Sequence, residues 1–327
     1  MADEDVATRA PESDAQEQSG IAGDTKPDQG AASMGEHCTT DRPTPAGEQP
    51  TGEIAKLNHV DVYISKPSDY PHAPSKLLLL LTGGTGIHST NNQIQADKYA
   101  AEGFLVVMPD QFAGDPASSI STTQTAAAEQ NPSVIEQLKL GVASVAKSFT
   151  IDMWLARHTP EKVLPILNKV IDSVKEEFAD AVAHGEGIYA VGYCFGAKYV
   201  LLLGSELHAD VAAGQRSAET QAEEGMVKNG PRIKVGAIAH GTQITVTDLE
   251  HCQVPLGIVA VEQDSLFPDH IREAGIKKLQ ENGVEHEVQV YPDVPHGFAV
   301  LGDYEDSKIK QKQGEAFQQL VQWLKSH

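Results

Sequence analysis

The sequence has few of the features that mark secreted, metal-binding or membrane-spanning proteins. Only three of its 327 residues are cysteine, and no Cys-x-x-Cys pair or Cys/His spacing typical of a metal site occurs. Three cysteines cannot form a disulfide framework, so we expect a reducing compartment. Apolar runs are short: residues 77–81, among the longest, fall far below the roughly 20 residues of a membrane span. The first residues lack the charged-then-apolar pattern of a signal peptide, so we predict a cytoplasmic protein.

Basic residues are also scarce. The chain has 25 Lys and Arg residues against 46 Asp and Glu, which gives a formal net charge of -21. Such an excess of negative charge argues against nucleic acid or an anionic membrane surface as a partner, because both would repel it. We therefore expect neither among the partners, and the composition leaves monomer and homodimer open.

Residues 1–50 differ in composition from the rest of the chain. They hold 11 Asp and Glu against 3 Lys and Arg, and they have almost no large apolar side chain. Such a segment cannot bury enough surface to offset the entropy lost when it is ordered. We predict a disordered acidic tail over residues 1–50 and one domain over residues 51–327.

Within residues 51–327, strand-like and helix-like segments alternate. Residues 76–82 form a continuous apolar run that fits a strand buried on both faces. Residues 160–178 place six aliphatic side chains on one face at helical spacing. The alternation continues to an amphipathic helix over residues 308–324. The pattern predicts an α/β fold with a mainly parallel central sheet and helices on both faces.

One stretch organises the domain: the run Gly192-Tyr193-Cys194-Phe195-Gly196. Apolar residues lead into this run and a helix-like segment follows it, so Cys194 is expected at a sharp turn between a strand and a helix. This is the pattern of a nucleophile elbow, with Cys in the Ser position. A free cysteine is more often a buried small hydrophobic residue, and the five residues alone do not decide between the two interpretations.

Two further residues complete a candidate triad. Asp264 follows a later predicted strand, and His296 follows the last one. The order nucleophile, acid, histidine is the chain order of an elbow-type site, and the carboxyl ends of parallel strands share one edge of the sheet. We predict that His296 takes the proton of Cys194 and later protonates the leaving group, while Asp264 orients the imidazole.

Each of these assignments has an alternative. Asp264 would also suit the N-terminal cap of the helix that follows it, and Glu262 is a rival for the acid. His296 precedes a glycine and would also suit a turn. His88 and His240 end near strands as well, and we interpret them as pocket lining rather than as the base.

A glycine-rich loop at residues 83–86 follows the apolar run of residues 76–82. A phosphate-binding loop is disfavoured because the Gly-Lys-Ser/Thr ending is missing. The loop suits an oxyanion hole, in which backbone N–H groups face the negative charge of a tetrahedral intermediate. We predict the N–H groups of Phe195 and Gly84 as the two donors, with a plain flexible turn as the alternative.

Several motifs occur together from about residue 50 to the C-terminus. They are Asn91-Asn92-Gln93 with Ala96-Asp97, residues 103–110 with Gly114-Asp115, the elbow, residues 237–240, Asp264 with Phe267-Pro268, and Pro295-His296-Gly297-Phe298. In this combination the chain resembles the dienelactone hydrolase family of α/β-hydrolases, in its fungal form. The resemblance implies the α/β-hydrolase fold and a triad of Cys194, His296 and Asp264. It also implies hydrolysis of an ester or lactone through an acyl-enzyme, without a cofactor.

Two departures from the bacterial members of that family bear on the substrate. Where they carry a Glu that partners the resting thiol, this chain has Gly83. Where they carry an Arg that grips the substrate carboxylate, it has Val300 and Leu301. The departures point away from dienelactone and toward a more apolar or larger lactone or ester, such as a polyketide-derived one. The thiol is then expected to pair with His296 from the start.

Other functions stay open on the sequence alone. A thioester is a possible substrate of the same site, and the setting is either secondary metabolism or the degradation of aromatic compounds and lactones. A non-catalytic, ligand-binding protein of the same fold would explain the missing Glu and Arg. A cyclase or acyl transferase would use the same nucleophile and differ only in its product.

Overall fold

The computed structural model describes residues 39–117, 150–206 and 230–327. Three sequence-based expectations fall partly or wholly outside these ranges. They are the disordered tail expected over residues 1–50, the loops and short helices expected over residues 113–150, and the polar loop expected over residues 208–231. These stay predictions for residues 1–38, 118–149 and 208–229.

Eight strands form one sheet. They are β1 (Glu53–Leu57), β2 (Val60–Ser65), β3 (Lys76–Leu81), β4 (Phe104–Pro109), β5 (Ile188–Tyr193), β6 (Val235–Ala239), β7 (Leu256–Val261) and β8 (His286–Tyr291). Their order across the sheet is β1-β2-β4-β3-β5-β6-β7-β8. β1 and β2 are antiparallel to their neighbours at one edge, and every pair from β4 to β8 is parallel.

Helices connect the strands and cover both faces of the sheet. They are α1 (Thr90–Ala101), α2 (Pro160–Glu177), α3 (Ala179–His184), α4 (Phe195–Leu203), α5 (Val246–Glu250), α6 (Asp269–Glu281) and α7 (Ser307–Ser326), and residues 150–157 are also helical. Side chains of α2 and α4 belong to the core on one face, and those of α1 and α7 to the core on the other. Within the described ranges, no helix has the length and apolar character needed to cross a bilayer.

Strand β3 shows why the apolar run is continuous. Leu77, Leu79 and Leu81 point into the core that contains α2 and α4, while Leu78 and Leu80 point into the core that contains α1 and α7. All five are at most 1% exposed. A strand between two helix layers needs apolar side chains at every position, because neither face meets water. The predicted α/β fold, mainly parallel with helices on both faces, is confirmed.

Two short helices, α3 and α5, were not predicted. Helix α3 has six residues and α5 has five, so neither is long enough to show an apolar periodicity. The capping box of α5, in which Thr245 and Asp248 bond reciprocally, is the local signal that marks its start.

Residues 39–50 differ from the predicted disordered tail, because the structure places them against the domain. Ser89 Oγ donates a hydrogen bond to Asp41 Oδ1 at 2.9 Å, and Asn91 Nδ2 donates to the carbonyl of Arg42 at 2.8 Å. The guanidinium carbon of Arg42 lies 3.9 Å from the ring centroid of Tyr304. Polar and cation–π contacts hold this segment, and a composition argument based on apolar burial does not detect them.

Candidate active site

Cys194 lies at the turn between β5 and α4. Its φ of 51° and ψ of -114° fall in a sparsely populated region for a residue with a side chain, which costs about 1–3 kcal/mol. Glycines allow the chain to turn here. A Cβ at Gly192 would lie 2.5 Å from the carbonyl oxygen of Gly196, and a Cβ at Gly196 would lie 2.2 Å from that of Leu81. The predicted strand–turn–helix around Cys194 is therefore present.

The helix that starts after the elbow is held by aromatic rings. The ring of Phe195 lies 5.0–5.4 Å, centroid to centroid, from the rings of Phe112, Trp154 and Tyr199. Tyr199 Oη also donates to the carbonyl of His158 at 2.9 Å. Such packing fixes the first turn of α4, and with it the backbone on the helix side of the nucleophile.

Asp264 and His296 are brought together at the carboxyl ends of β7 and β8. His296 Nδ1 lies 2.7 Å from Asp264 Oδ2, and both side chains are buried, with 10% and 2% of their surface exposed. The N–H of Leu266 donates to Asp264 Oδ1 at 2.9 Å. The carboxylate is therefore oriented by the backbone on one side and holds the imidazole with its other oxygen. Glu262, the rival acid, is exposed.

The loop that carries His296 is anchored on two sides. The N–H of Leu301 donates to Gln95 Oε1 of α1 at 3.0 Å. Gln313 Nε2 of α7 donates to the carbonyls of Phe298 and Val300 at 3.0 and 2.8 Å. Amide side chains from two helices thus satisfy the backbone of a loop that belongs to no regular element.

Thr242 joins the nucleophile to the histidine, and sequence reasoning missed it. Its Oγ1 lies 3.2 Å from Cys194 Sγ and 3.3 Å from His296 Nε2. Thr242 follows β6 by three residues, so it lies at the same edge of the sheet as the other site residues. That position was the available signal, although polar residues are common after strands.

The pKa of His296 reflects its partners. Burial lowers the pKa, but the charge of Cys194, the hydrogen bonds to Asp264 and Cys194 and the charge of Asp264 outweigh burial and raise it to about 9. An imidazole with this pKa carries a proton at neutral pH. The proton favours a negative charge on the neighbouring sulfur, as an activated thiol requires.

A pocket opens beside Cys194. It is lined by Thr40, Asp41, Arg42, Gly83, Gly84, Thr85, Asn91, Asn92, Cys194, His240, Gly297, Val300, Leu301 and Tyr304. Gly84 is thus at the pocket, and Phe195 begins α4, where the first N–H groups have no acceptor within the helix. His240 lines the pocket as predicted, with its ring 5.0 Å from that of His296, while His88 is exposed.

Residues 40–42, here called the N-terminal wall, are the second part of the site that sequence reasoning missed. They lie some 150 residues before the nucleophile in the chain and fall in the segment predicted to be disordered. Val300 and Leu301 line the pocket where bacterial relatives were expected to carry an Arg. Within the described ranges, no group of three or more His, Cys, Asp and Glu residues could hold a metal ion.

This chain matches a protein-family model over most of its length. The family model of the dienelactone hydrolase family matches residues 60–327. The chain belongs to the dienelactone hydrolase family. Family membership confirms the predicted resemblance and makes the protein an enzyme of the carboxylic ester hydrolase class.

Fungal members of the family are among its relatives. Hydrolase pyvD of Aspergillus violaceofuscus is 30% identical over 84% of this chain and 90% of its own. Hydrolase tropI of Talaromyces stipitatus is 28% identical over 85% and 91%. Among solved structures, a Klebsiella pneumoniae protein assigned to the dienelactone hydrolases superposes with a TM-score of 0.59 at 14% identity, covering 86% of this chain and all of that one. The last likeness concerns the fold alone.

Proposed function

We propose that this member of the dienelactone hydrolase family hydrolyses an ester or lactone through an acyl group carried on Cys194. The observation that carries the proposal is the set of contacts from Asp264 through His296 and Thr242 to Cys194 Sγ, on an elbow with strained backbone. Groups in these positions match the roles that nucleophilic catalysis requires: a nucleophile, a base and a group that orients the base.

The reaction has two halves. The thiolate of Cys194 attacks the acyl carbon, and the carbonyl oxygen becomes an oxyanion that accepts hydrogen bonds from the N–H groups of Phe195 and Gly84. His296 then gives its Nε2 proton to the leaving alkoxide, and a thioester remains. In the second half His296 takes a proton from water, the hydroxide attacks the thioester, and the acid leaves as the thiolate is restored. Asp264 holds the imidazole throughout.

Three lining residues of the pocket support a substrate more apolar than dienelactone. Val300 and Leu301 present an apolar surface beside the catalytic loop, and Tyr304 adds an aromatic ring. We propose that the substrate is a lactone or ester with an apolar or aromatic body, and that a thioester is a weaker candidate. The proposal includes action in the cytoplasm, without a cofactor, as a monomer or homodimer. The acidic composition supports a partner other than nucleic acid.

Replacing the nucleophile tests the proposal. Cys194→Ala should lose all measurable turnover on a panel of aryl esters, alkyl esters, lactones and thioesters. Intact-mass spectra of the wild type with slow substrates should show an added acyl group that the variant lacks. Cys252→Ala is the matched control. Cys252 is buried away from the site, and burial raises its pKa to about 11. The activity of the Cys252→Ala variant should match that of the wild type.

Two outcomes would overturn the proposal. Undiminished turnover by Cys194→Ala would show that Cys194 is not the nucleophile. An acyl adduct mapped to another residue would show that the other residue is the nucleophile. If the adduct forms on Cys194 but the product is a ring or a transferred acyl group, a cyclase or acyl transferase replaces the hydrolase.

A further inference from the structure

The Thr242 hydroxyl contacts both reacting groups of the site. Its oxygen lies 3.2 Å from Cys194 Sγ and 3.3 Å from His296 Nε2. The residue is 2% exposed, so bulk water does not compete for these contacts. A hydroxyl is one donor with two acceptor positions, and it can therefore serve both neighbours at once.

Backbone hydrogen bonds hold Thr242 against the elbow, independently of His296. The N–H of Thr242 donates to the carbonyl of Cys194 at 3.0 Å, and the N–H of Cys194 donates to the carbonyl of Ala239 at 3.1 Å. The two turns are therefore joined in both directions. These backbone bonds hold the hydroxyl beside the sulfur and do not involve the loop that carries His296.

The protonation state of His296 sets which atom donates in each contact of Thr242. His296 uses Nδ1 to bond with Asp264, so only Nε2 faces the hydroxyl. When the imidazole is protonated, Nε2 is a donor and the hydroxyl oxygen accepts. The single proton of Thr242 is then left for Cys194 Sγ, and a thiolate can only accept. A neutral pair also satisfies these contacts, with S–H donating to Oγ1 and the hydroxyl donating to Nε2. The Asp264 carboxylate at Nδ1 favours the charged pair, because its negative charge stabilises an imidazolium.

Position 83 lies beside the Cys194 side chain, and its glycine has no side chain that could contact the sulfur. A Cβ at position 83 would lie 3.2 Å from Cys194 Cβ and 3.8 Å from Sγ, so a side chain there would contact the nucleophile. Glycine provides none. Thr242, from the end of β6, brings a hydroxyl to the sulfur.

We propose that Thr242 is a positioning residue, whose hydroxyl holds the thiolate of Cys194 beside the imidazolium of His296 before substrate binds. The inference rests on the proposed role of Cys194 as nucleophile. In forming the pair, the S–H bond of Cys194 breaks and its proton ends on His296 Nε2, while Thr242 keeps its own proton and turns it toward sulfur. No other reactant is needed.

Other titratable and charged groups face the same pocket and bear on any pH profile. The ring of His240 contacts that of His296, and Asp264 bonds to His296. Burial raises the pKa of Asp41, opposed by hydrogen bonds from Ser89 and Thr85. The remaining groups are Arg42 and Tyr304. The Thr242 hydroxyl contacts Cys194 and His296, so removing it acts directly on these two groups.

The test measures the thiol directly. Cys194 in the full chain is alkylated with iodoacetamide at a series of pH values, and its modified peptide is quantified by mass spectrometry, which separates it from Cys38 and Cys252. Thr242→Val keeps the shape of the side chain and removes the hydroxyl. The midpoint, which is the pH at which the alkylation rate reaches half its maximum, should therefore rise by about one pH unit or more. Thr242→Ser should restore the wild-type midpoint. kcat/KM at neutral pH should fall about tenfold in Thr242→Val and recover in Thr242→Ser.

Thr247→Val is the matched control, because it makes the same change at an exposed position of α5 and should leave the midpoint unmoved. A wild-type midpoint in folded Thr242→Val overturns the inference, as does an equal shift in Thr242→Ser. If Thr242→Val does not give the wild-type circular dichroism spectrum, Thr242→Ala takes its place under the same criteria. Alkylation needs no turnover. The effect of Thr242 on the thiol can therefore be measured even if Cys194→Ala keeps its activity and the proposed hydrolase function is wrong.

Discussion

Two regions of the active site are built in different ways. The proposed catalytic region, here called the catalytic region and formed by Cys194, Thr242, Asp264 and His296, lies where β5 to β8 end, and each residue is within five positions of a strand. The substrate-facing region is formed by the N-terminal wall and residues 297–304, which belong to no strand or helix. Hydrogen bonds and the Arg42–Tyr304 contact hold it in place.

The difference separates chemistry from selectivity. Neighbouring parallel strands hold these side chains at distances set by the sheet, because β5, β6 and β7 are buried between two helix layers and β8 is paired with β7 along its length. The wall is attached by a few polar contacts that can change without disturbing the core. We therefore expect changes in the catalytic region to act on kcat, and changes in the wall to act on KM.

The largest effect should come from Asp264→Asn. The variant keeps the shape but no longer holds the imidazole as an imidazolium, so kcat should fall roughly a thousandfold or more with little change in KM. Steady-state kinetics on one aryl ester give the result. Asp293→Asn, the same change at an exposed position of the histidine loop, is the control and should keep wild-type values. A loss expressed mainly in KM would break the comparison.

A smaller effect is expected from pH. Because the pKa of His296 is raised to about 9, its proton is present at neutral pH and is lost as the pH rises through about 9. kcat/KM for an alkyl ester should then fall about tenfold for each further pH unit, since the leaving alkoxide needs that proton. A p-nitrophenyl ester needs no such proton and should show a much shallower decline. Equal declines for both esters would contradict the role of His296 as acid.

The smallest effect should come from Arg42→Ala. Loss of the contact with Tyr304 removes about 0.5–2 kcal/mol from the wall, so KM for a bulky ester should change about two- to thirtyfold. kcat for a small aryl ester should stay within about twofold, because Arg42 contacts Tyr304 and Asn91 of the pocket lining. Lys56→Ala on β1 is the control for removal of a cation outside the pocket. Equal losses of kcat for both esters would join the two regions that the comparison separates.

The sheet could be predicted because its strands leave a strong record. Residues such as Leu77–Leu81 are apolar at every position, and only a strand between two helix layers requires that pattern. The six residues of α3 carry no comparable signal, since one and a half turns cannot establish a period of 3.6 residues.

The candidate site differs in the same way between its parts. Cys194, Asp264 and His296 could be chosen as candidates from the sequence because a glycine-bracketed turn and a fixed chain order point to them. Thr242 could not, because one hydroxyl after a strand resembles many others, and only its distances to sulfur and imidazole distinguish it. Arg42 could not, because its contacts are with residues 49 to 262 positions away in the chain.

The N-terminal wall lies outside the stretch that defines the family. The family model begins at residue 60, yet residues 40–42 border the same pocket as the nucleophile. A change in residues 40–42 would therefore alter the border of the pocket while leaving every residue that the family model matches in place.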